Sequence, residues 1–156
     1  MASVFSEISG GVTAPQGFLA GSAYCGIKAS NADRPDIAVV RSEGPAVAAG
    51  TFTTNKVKAA PVRVSAAHIR HADVRVILAN SGNANACTGV AGIENARRMV
   101  RAAASKLGLK DRQVLVCSTG RIGVPLPIEK MEATIGGLVN QVNREGSKAA
   151  AEAIMT

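Results

Sequence analysis

The sequence predicts an α/β fold in which a mixed or parallel sheet is layered with helices. Three observations predict it. The apolar 47% of the 156 residues is mostly Ala, Val and Ile, with one Tyr, three Phe and no Trp, so small and β-branched side chains build the core. Short apolar runs broken by Gly, Pro and Asn dominate residues 1–90, whereas from Gly92 onward the apolar spacing lengthens to a helical period. A chain of this length also buries about two-thirds of its extended surface, so residues 1–156 read as one domain without linker or repeat.

The elements follow in order. Ile37–Val40, Val47–Thr53, Val62–Val64 and Val74–Ala79 are short apolar or alternating runs bounded by turn residues, and are expected as strands. Ile93, Ala96, Val100, Ala103, Ala104 and Leu107 then fall on one helical face, with Arg97, Arg98 and Arg101 mostly off it and Gly108 as the stop. Val114–Cys117 returns to strand. Ile128, Met131, Ile135, Leu138 and Val142 mark a second amphipathic helix after Pro127, and Lys148–Met155 begins a third.

A net charge of +7 admits nucleic acid, an anionic substrate or plain solubility as its meaning. The Lys and Arg residues are spread without a block of five or six, and almost no aromatics are present to stack on bases, so nucleic-acid binding is not expected. Cys25, Cys87 and Cys117 are odd in number, far apart and outside any CxxC or CxxH spacing. They read as buried thiols in a reducing compartment. The start MASVFSEISGG lacks a basic, apolar leader, and no stretch approaches about 18 consecutive apolar residues. A cytoplasmic location and no membrane partner are expected.

Candidate chemistry is sparse. His68 and His71 lie in AAHIRHAD without local partners for metal or acid–base work and read as surface histidines. Asp33, Asp36, Glu43, Glu129, Glu132 and Glu152 form no pair that stands out from solvated or capping carboxylates. The run ANSGNANACTG, Ala79–Gly89, follows a strand and precedes a helix, but matches neither a P-loop nor GxGxxG. It suits a weak anion-binding loop or turn chemistry that satisfies its own backbone. In CSTGRIG, Thr119 supplies a hydroxyl donor and Gly120 an unshielded N–H, so the pair suits an oxyanion hole better than a nucleophile, for which no base lies nearby. A simple structural turn is the competing reading.

Several segments together resemble one known family. GFLAGSAYCGIK (17–28), AAGTFTTNKVKAAPV (48–62), NSGNANACTG (80–89), STGRIGVPLP (118–127) and AAEAIMT (150–156) are similar, in order, to the amino-terminal part of ornithine acetyltransferase, also called glutamate N-acetyltransferase. The resemblance implies the DmpA/ArgJ-like fold and acetyl transfer from N2-acetylornithine to L-glutamate in arginine biosynthesis, with acetyl-CoA as a further donor in some members; no cofactor or metal is expected. It also implies a precursor that cleaves itself before a threonine. That threonine, first residue of the β chain, is the nucleophile, and two α and two β chains assemble as a heterotetramer. By the same resemblance Thr119 and Gly120 stabilise the oxyanion, and Thr156 touches substrate.

Family members continue past AIMT to a cleavage site, and that continuation is absent from this sequence. The chain is therefore expected to be an incomplete α chain, inactive alone, with an exposed sheet edge or apolar face where the β part docks. The alternative is a non-catalytic ligand-binding or interaction module that retains the scaffold. Arg121 stands where the family often has an apolar or small residue, so it either points to solvent or alters substrate preference.

Overall fold

A computed structural model describes residues 5–28, 34–71 and 73–156. Its sheet has four strands in sequence order: β1 (Phe18–Ala23), β2 (Ile37–Ala46), β3 (Val74–Asn80) and β4 (Val114–Ser118). β1, β2 and β3 pair antiparallel, while β3 and β4 run parallel, with Val76 opposite Val114 and Asn80 opposite Ser118. The sheet is thus mixed. Parallel neighbours need a crossover, and helix α2 (Gly89–Leu107) supplies it. The other helices are α1 (Ala60–His68), α3 (Ile128–Leu138) and α4 (Ser147–Ile154), with a 3₁₀ turn at Asp111–Gln113.

One face of the sheet carries the main core. Ile37, Val39, Val76, Leu78, Val114 and Val116 alternate inward and pack against Ala96, Met99, Val100 and Ala103 of α2 and Met131, Ile135 and Leu138 of α3. α2 stops at Gly108, whose φ of 63° is the left-handed cap that a glycine adopts freely, and its N–H bonds Ala104 O. Arg98 then ties α2 to α3 by a fork onto Glu132 (2.8 and 2.5 Å) and a bond to Glu129 (3.0 Å). Arg98 holds the Glu132 carboxyl below the ordinary range; its own backbone N–H and then Arg98 do the same for Glu129.

The opposite face is only partly covered. Ala20 and Ala38 meet Ala150 and Ala153 of α4, and these small side chains let helix and sheet approach closely. A Cβ at Gly146, just before α4, would lie 1.9 Å from Ala20 O, so the entry into this helix requires glycine. Ile77 and Cys117 remain exposed on that face.

Three sequence expectations change. Val62–Val64 belongs to α1: Pro61 sits in its first turn, and Ala60, Pro61, Val64 and Ser65 bury one helical side. Its two valines suggest a strand in isolation, but the tertiary position of this segment beside β4 decides otherwise. Val47–Thr53 is irregular, because Ala46 already pairs with Val74, the first residue of β3, and nothing remains opposite the following residues. The helix from Ile128 ends at Leu138 rather than Val142; Gly136 and Gly137 weaken its last turn, and Asn143 exchanges two backbone bonds with Ala20 (2.9 and 3.0 Å) on the outer edge of β1. β1 itself went unread, since Leu-Ala-Gly-Ser-Ala carries too little apolar contrast to mark a strand.

The open edge of β4 is closed by side chains. The Ser65 hydroxyl donates to Val116 O (2.7 Å) and accepts from Val116 N–H (2.8 Å), and His68 Nδ1 lies 2.8 Å from Val114 O. His68 is therefore half-buried and structural, while His71 is exposed. Both edges are thus partly occupied, and the exposed feature is the apolar face. Ser65→Ala should leave both Val116 backbone groups unpaired and destabilise by about 1–3 kcal/mol. Urea unfolding should show a lower midpoint at an unchanged slope; an unshifted midpoint would show that water replaces the hydroxyl.

Candidate functional site

Because β3 and β4 are parallel, their following loops leave the sheet at the same edge. Asn80, the last residue of β3, joins them. It is 1% exposed; its carbonyl accepts from Thr119 N–H (3.0 Å), its Oδ1 accepts from the Ser118 hydroxyl (2.6 Å), and its Nδ2 donates to Asn83 O (2.9 Å). Beyond the strands the loops stay paired: Arg121 N–H donates to Gly82 O (3.3 Å), Ala84 N–H to Arg121 O (2.9 Å) and Gly123 N–H to Ala86 O (2.9 Å). Asn83 Nδ2 reaches Val124 O and Pro125 O (3.2 and 3.1 Å), and its Oδ1 accepts from Asn85 N–H (2.8 Å). The amides of this Asn-rich run therefore serve the backbone of the two loops, which is the turn-chemistry reading.

Gly120 is where the loops touch. Its φ is +129°, and a Cβ there would lie 2.4 Å from the Gly82 carbonyl carbon and 2.5 Å from Asn83 N. No other residue fits. The Thr119 hydroxyl and the Gly120 N–H are exposed and without a hydrogen-bond partner among the described residues. Thr119 opens on a groove of about 570 Å³ whose walls include Ile77, Ala79, Cys117 and Ile154.

Thr156 follows α4 and is exposed. The Ser81 hydroxyl donates to Ala153 O (2.5 Å) and the Lys28 ammonium to Met155 O, so the end of α4 meets the start of the β3 loop, at the same sheet edge as Thr119. No hydrogen bond among the described residues joins Thr156 to the Thr119–Gly120 corner. Arg121 is exposed and its side chain forms no ion pair among the described residues.

The carboxylates do other work. Asp36 is fully buried and accepts from the N–H groups of Cys25 (2.7 Å), Ile27 (2.6 Å) and Lys28 (3.2 Å), while its carbonyl takes Ser81 N–H (2.9 Å). It anchors the β1–β2 connection against the site loop, a role that nothing in its local sequence signals. Glu129 and Glu132 are held by Arg98, Glu152 lies 4.0 Å from Lys148, and Glu43 is exposed at the far end of β2; Asp33 lies outside the described residues. Only one cysteine matches its expected burial. Cys25 is buried, and burial and then the Asp36 carboxylate push its thiol far above the ordinary range. Cys87 and Cys117 are exposed, because Cys87 sits on a loop and Cys117 points to the uncovered sheet face, where desolvation by its neighbours raises its thiol as well.

The ArgJ family profile matches residues 19–156. The arginine biosynthesis bifunctional protein ArgJ of Symbiobacterium thermophilum is 46% identical over 149 residues, which take in 96% of this chain and 37% of that protein. Its namesake from Gloeobacter violaceus is 49% identical over 153 residues, 97% of this chain and 37% of that protein. The chain thus spans a little over a third of the length of these curated relatives. Among solved structures, ornithine acetyltransferase of Mycobacterium tuberculosis, complexed with ornithine, is similar with a TM-score of 0.89 at 43% identity, covering 94% of this chain and 79% of that one. ArgJ of Bacillus halodurans gives 0.87 at 36% identity, covering 94% and 76%.

Two outcomes test this geometry. Gly120→Ala should destabilise by at least about 1–3 kcal/mol, from backbone strain alone, and should perturb the amide resonances of Gly82 and Asn83; an unshifted melting temperature would mean the two loops are not in contact. On treatment with iodoacetamide at pH 8, peptide mapping should find Cys87 modified first. Cys117 should follow only as pH rises, since the thiolate is the reactive form and its raised pKa keeps the proton on. Cys25 should react only after unfolding; early modification of Cys25 would contradict its placement.

Proposed function

Since the chain belongs to the ArgJ family, we propose that it supplies the oxyanion-stabilising corner for acetyl transfer from N2-acetylornithine to L-glutamate in arginine biosynthesis, with acetyl-CoA as a second donor. One observation carries the reading. At the shared end of two parallel strands, where Asn80 and Asn83 spend their side-chain amides on the loop backbone, a hydroxyl and a backbone N–H on adjacent residues have no hydrogen-bond partner among the described residues, and the hydroxyl-bearing Thr119 lines a groove.

In this reaction the hydroxyl oxygen of a nucleophilic threonine, supplied by the β part, attacks the acetyl carbonyl carbon. A C–O bond forms, and the carbonyl π pair moves onto oxygen. That oxyanion accepts from the Thr119 hydroxyl and the Gly120 N–H. The backbone that carries both donors is fixed before reaction, at Thr119 by its N–H bond to Asn80 and at Gly120 by its packing on Gly82, so little backbone reorganisation is needed as charge develops. Collapse expels the ornithine amine with a proton and leaves acetyl-threonine; attack by the glutamate amine on that ester reverses the sequence and frees the threonine.

Thr156 belongs to the substrate side of the site in this reading, supported by its position at the sheet edge that carries Thr119. The uncovered face around Ile77 and Cys117 suits a β-chain contact in an assembly of two α and two β chains. A cytoplasmic setting belongs to this reading through the biosynthetic role of the family.

The test is Thr119→Val in a complete enzyme carrying this chain. Turnover should fall by roughly two to three powers of ten with KM little changed, and Thr119→Ser, which keeps the donor, should retain most of it. A valine variant within a few-fold of the parent would remove Thr119 from the oxyanion site.

A further inference from the structure

The cations beside the Asn85–Gly89 stretch form a feature that acetyl transfer at the Thr119 corner does not use. A hollow of about 440 Å³ is lined by Lys58, Arg63, Thr88 and Gly89, and it shares Lys58 and Arg63 with an adjoining open groove that adds Lys56. No Asp or Glu lines either hollow. All three basic side chains are exposed, and none forms an ion pair or hydrogen bond among the described residues. Three like charges gathered without an acid repel one another, so the local potential is positive and is relieved by a bound anion.

The backbone around the hollow has the same polarity. Ala60 N–H donates to Asn85 O (3.2 Å), which sets the first turn of α1 beside that of α2. Neither helix has an acidic residue in its first turn or a side-chain cap. Thr88, the residue placed to cap α2, instead turns its hydroxyl to Asn85 Oδ1 (2.8 Å), and the N–H groups of Gly89, Val90 and Ala91 find no acceptor among the described residues. A side chain at Gly89 would meet nothing within 4 Å, so the approach to these N–H groups is open.

We propose that this hollow binds the phosphate or pyrophosphate group of a small molecule, with Lys58 and Arg63 as its charge partners and Gly89 and Val90 as backbone donors. A single carboxylate carries one charge and would leave most of the cationic field unbalanced, whereas a pyrophosphate brings several charges and can span the two connected hollows. Arg63 offers the planar fork suited to a phosphate, and Lys58 a mobile point charge.

The test is amide-resolved NMR titration of this chain at low ionic strength with inorganic phosphate, pyrophosphate and ADP. Residues 58–63 and 88–93 should shift saturably with pyrophosphate, while the basic Arg97–Arg101 face stays still. In the double variant Lys58→Met, Arg63→Met, whose other resonances should be unchanged, the affinity should fall at least about tenfold, the loss expected for one charge-assisted hydrogen bond. Equal affinity for pyrophosphate and ADP would identify an inorganic ligand, and tighter binding of ADP a nucleotide-borne one; either supports the site. Shifts spread over all basic residues, or an affinity unaltered in the variant, would overturn it.

Discussion

One buried amide organises the functional end of this molecule. Asn80 is the last residue of the central strand it shares with both neighbours, and its carbonyl, Oδ1 and Nδ2 each bond to a different place: Thr119 N–H, the Ser118 hydroxyl and Asn83 O. A buried side-chain amide is costly unless its groups are partnered. Here partnering them fixes how the β3 loop and the β4 loop leave the sheet. The donors on Thr119 and Gly120, at the tip of this arrangement, are left without a partner among the described residues.

The two faces of the sheet divide the labour. The face packed by α2 and α3 carries the interleaved Val, Leu, Ile and Met side chains that hold the chain together, whereas the buried cluster on the opposite face is small, Ala20 and Ala38 against Ala150 and Ala153 of α4. α1 adds Ala60 and Val64 to the first of these cores and does more besides. Through Ser65 and His68 it completes the hydrogen bonding of an edge strand, and through Ala60 it meets the β3 loop. Fold stability and site geometry thus share α1, since the helix that seals β4 also brings Lys58 and Arg63 toward the start of α2.

How much of this could be read in advance depended on scale. Long periodic segments were legible: the Ile93–Leu107 face, the Gly108 stop, the strands at Val74 and Val114 and the helix from Ile128 all appear where their spacing puts them. The first turn of α2 was missed because Gly89, Val90 and Ala91 are exposed and add nothing to the apolar period. Val62 and Val64 misled because β-branching describes a local preference, while the unpaired edge of β4 is a demand from residues about 50 positions away. At the site, Ser-Thr-Gly was visible as a donor pair at a strand's exit. Its frame was not. Asn80, Asp36 and Ser81 act through contacts that only the parallel register and the β1–β2 connection bring about.

The approach of Gly120 to the Gly82–Asn83 backbone limits how a protein of this design can vary. Where side chains pack, a change of volume is absorbed by rotamer shifts in the neighbours. Where main chain meets main chain, as it does here, there is nothing to rotate. An inserted or deleted residue in either loop would also slip the Asn83–Arg121 bridge by one position and turn Thr119 away from the groove. Neither loop can change length without the other. Tolerance for insertions is therefore displaced to the irregular, exposed stretch after β2, around residues 47–57, where no ladder would be thrown out of step.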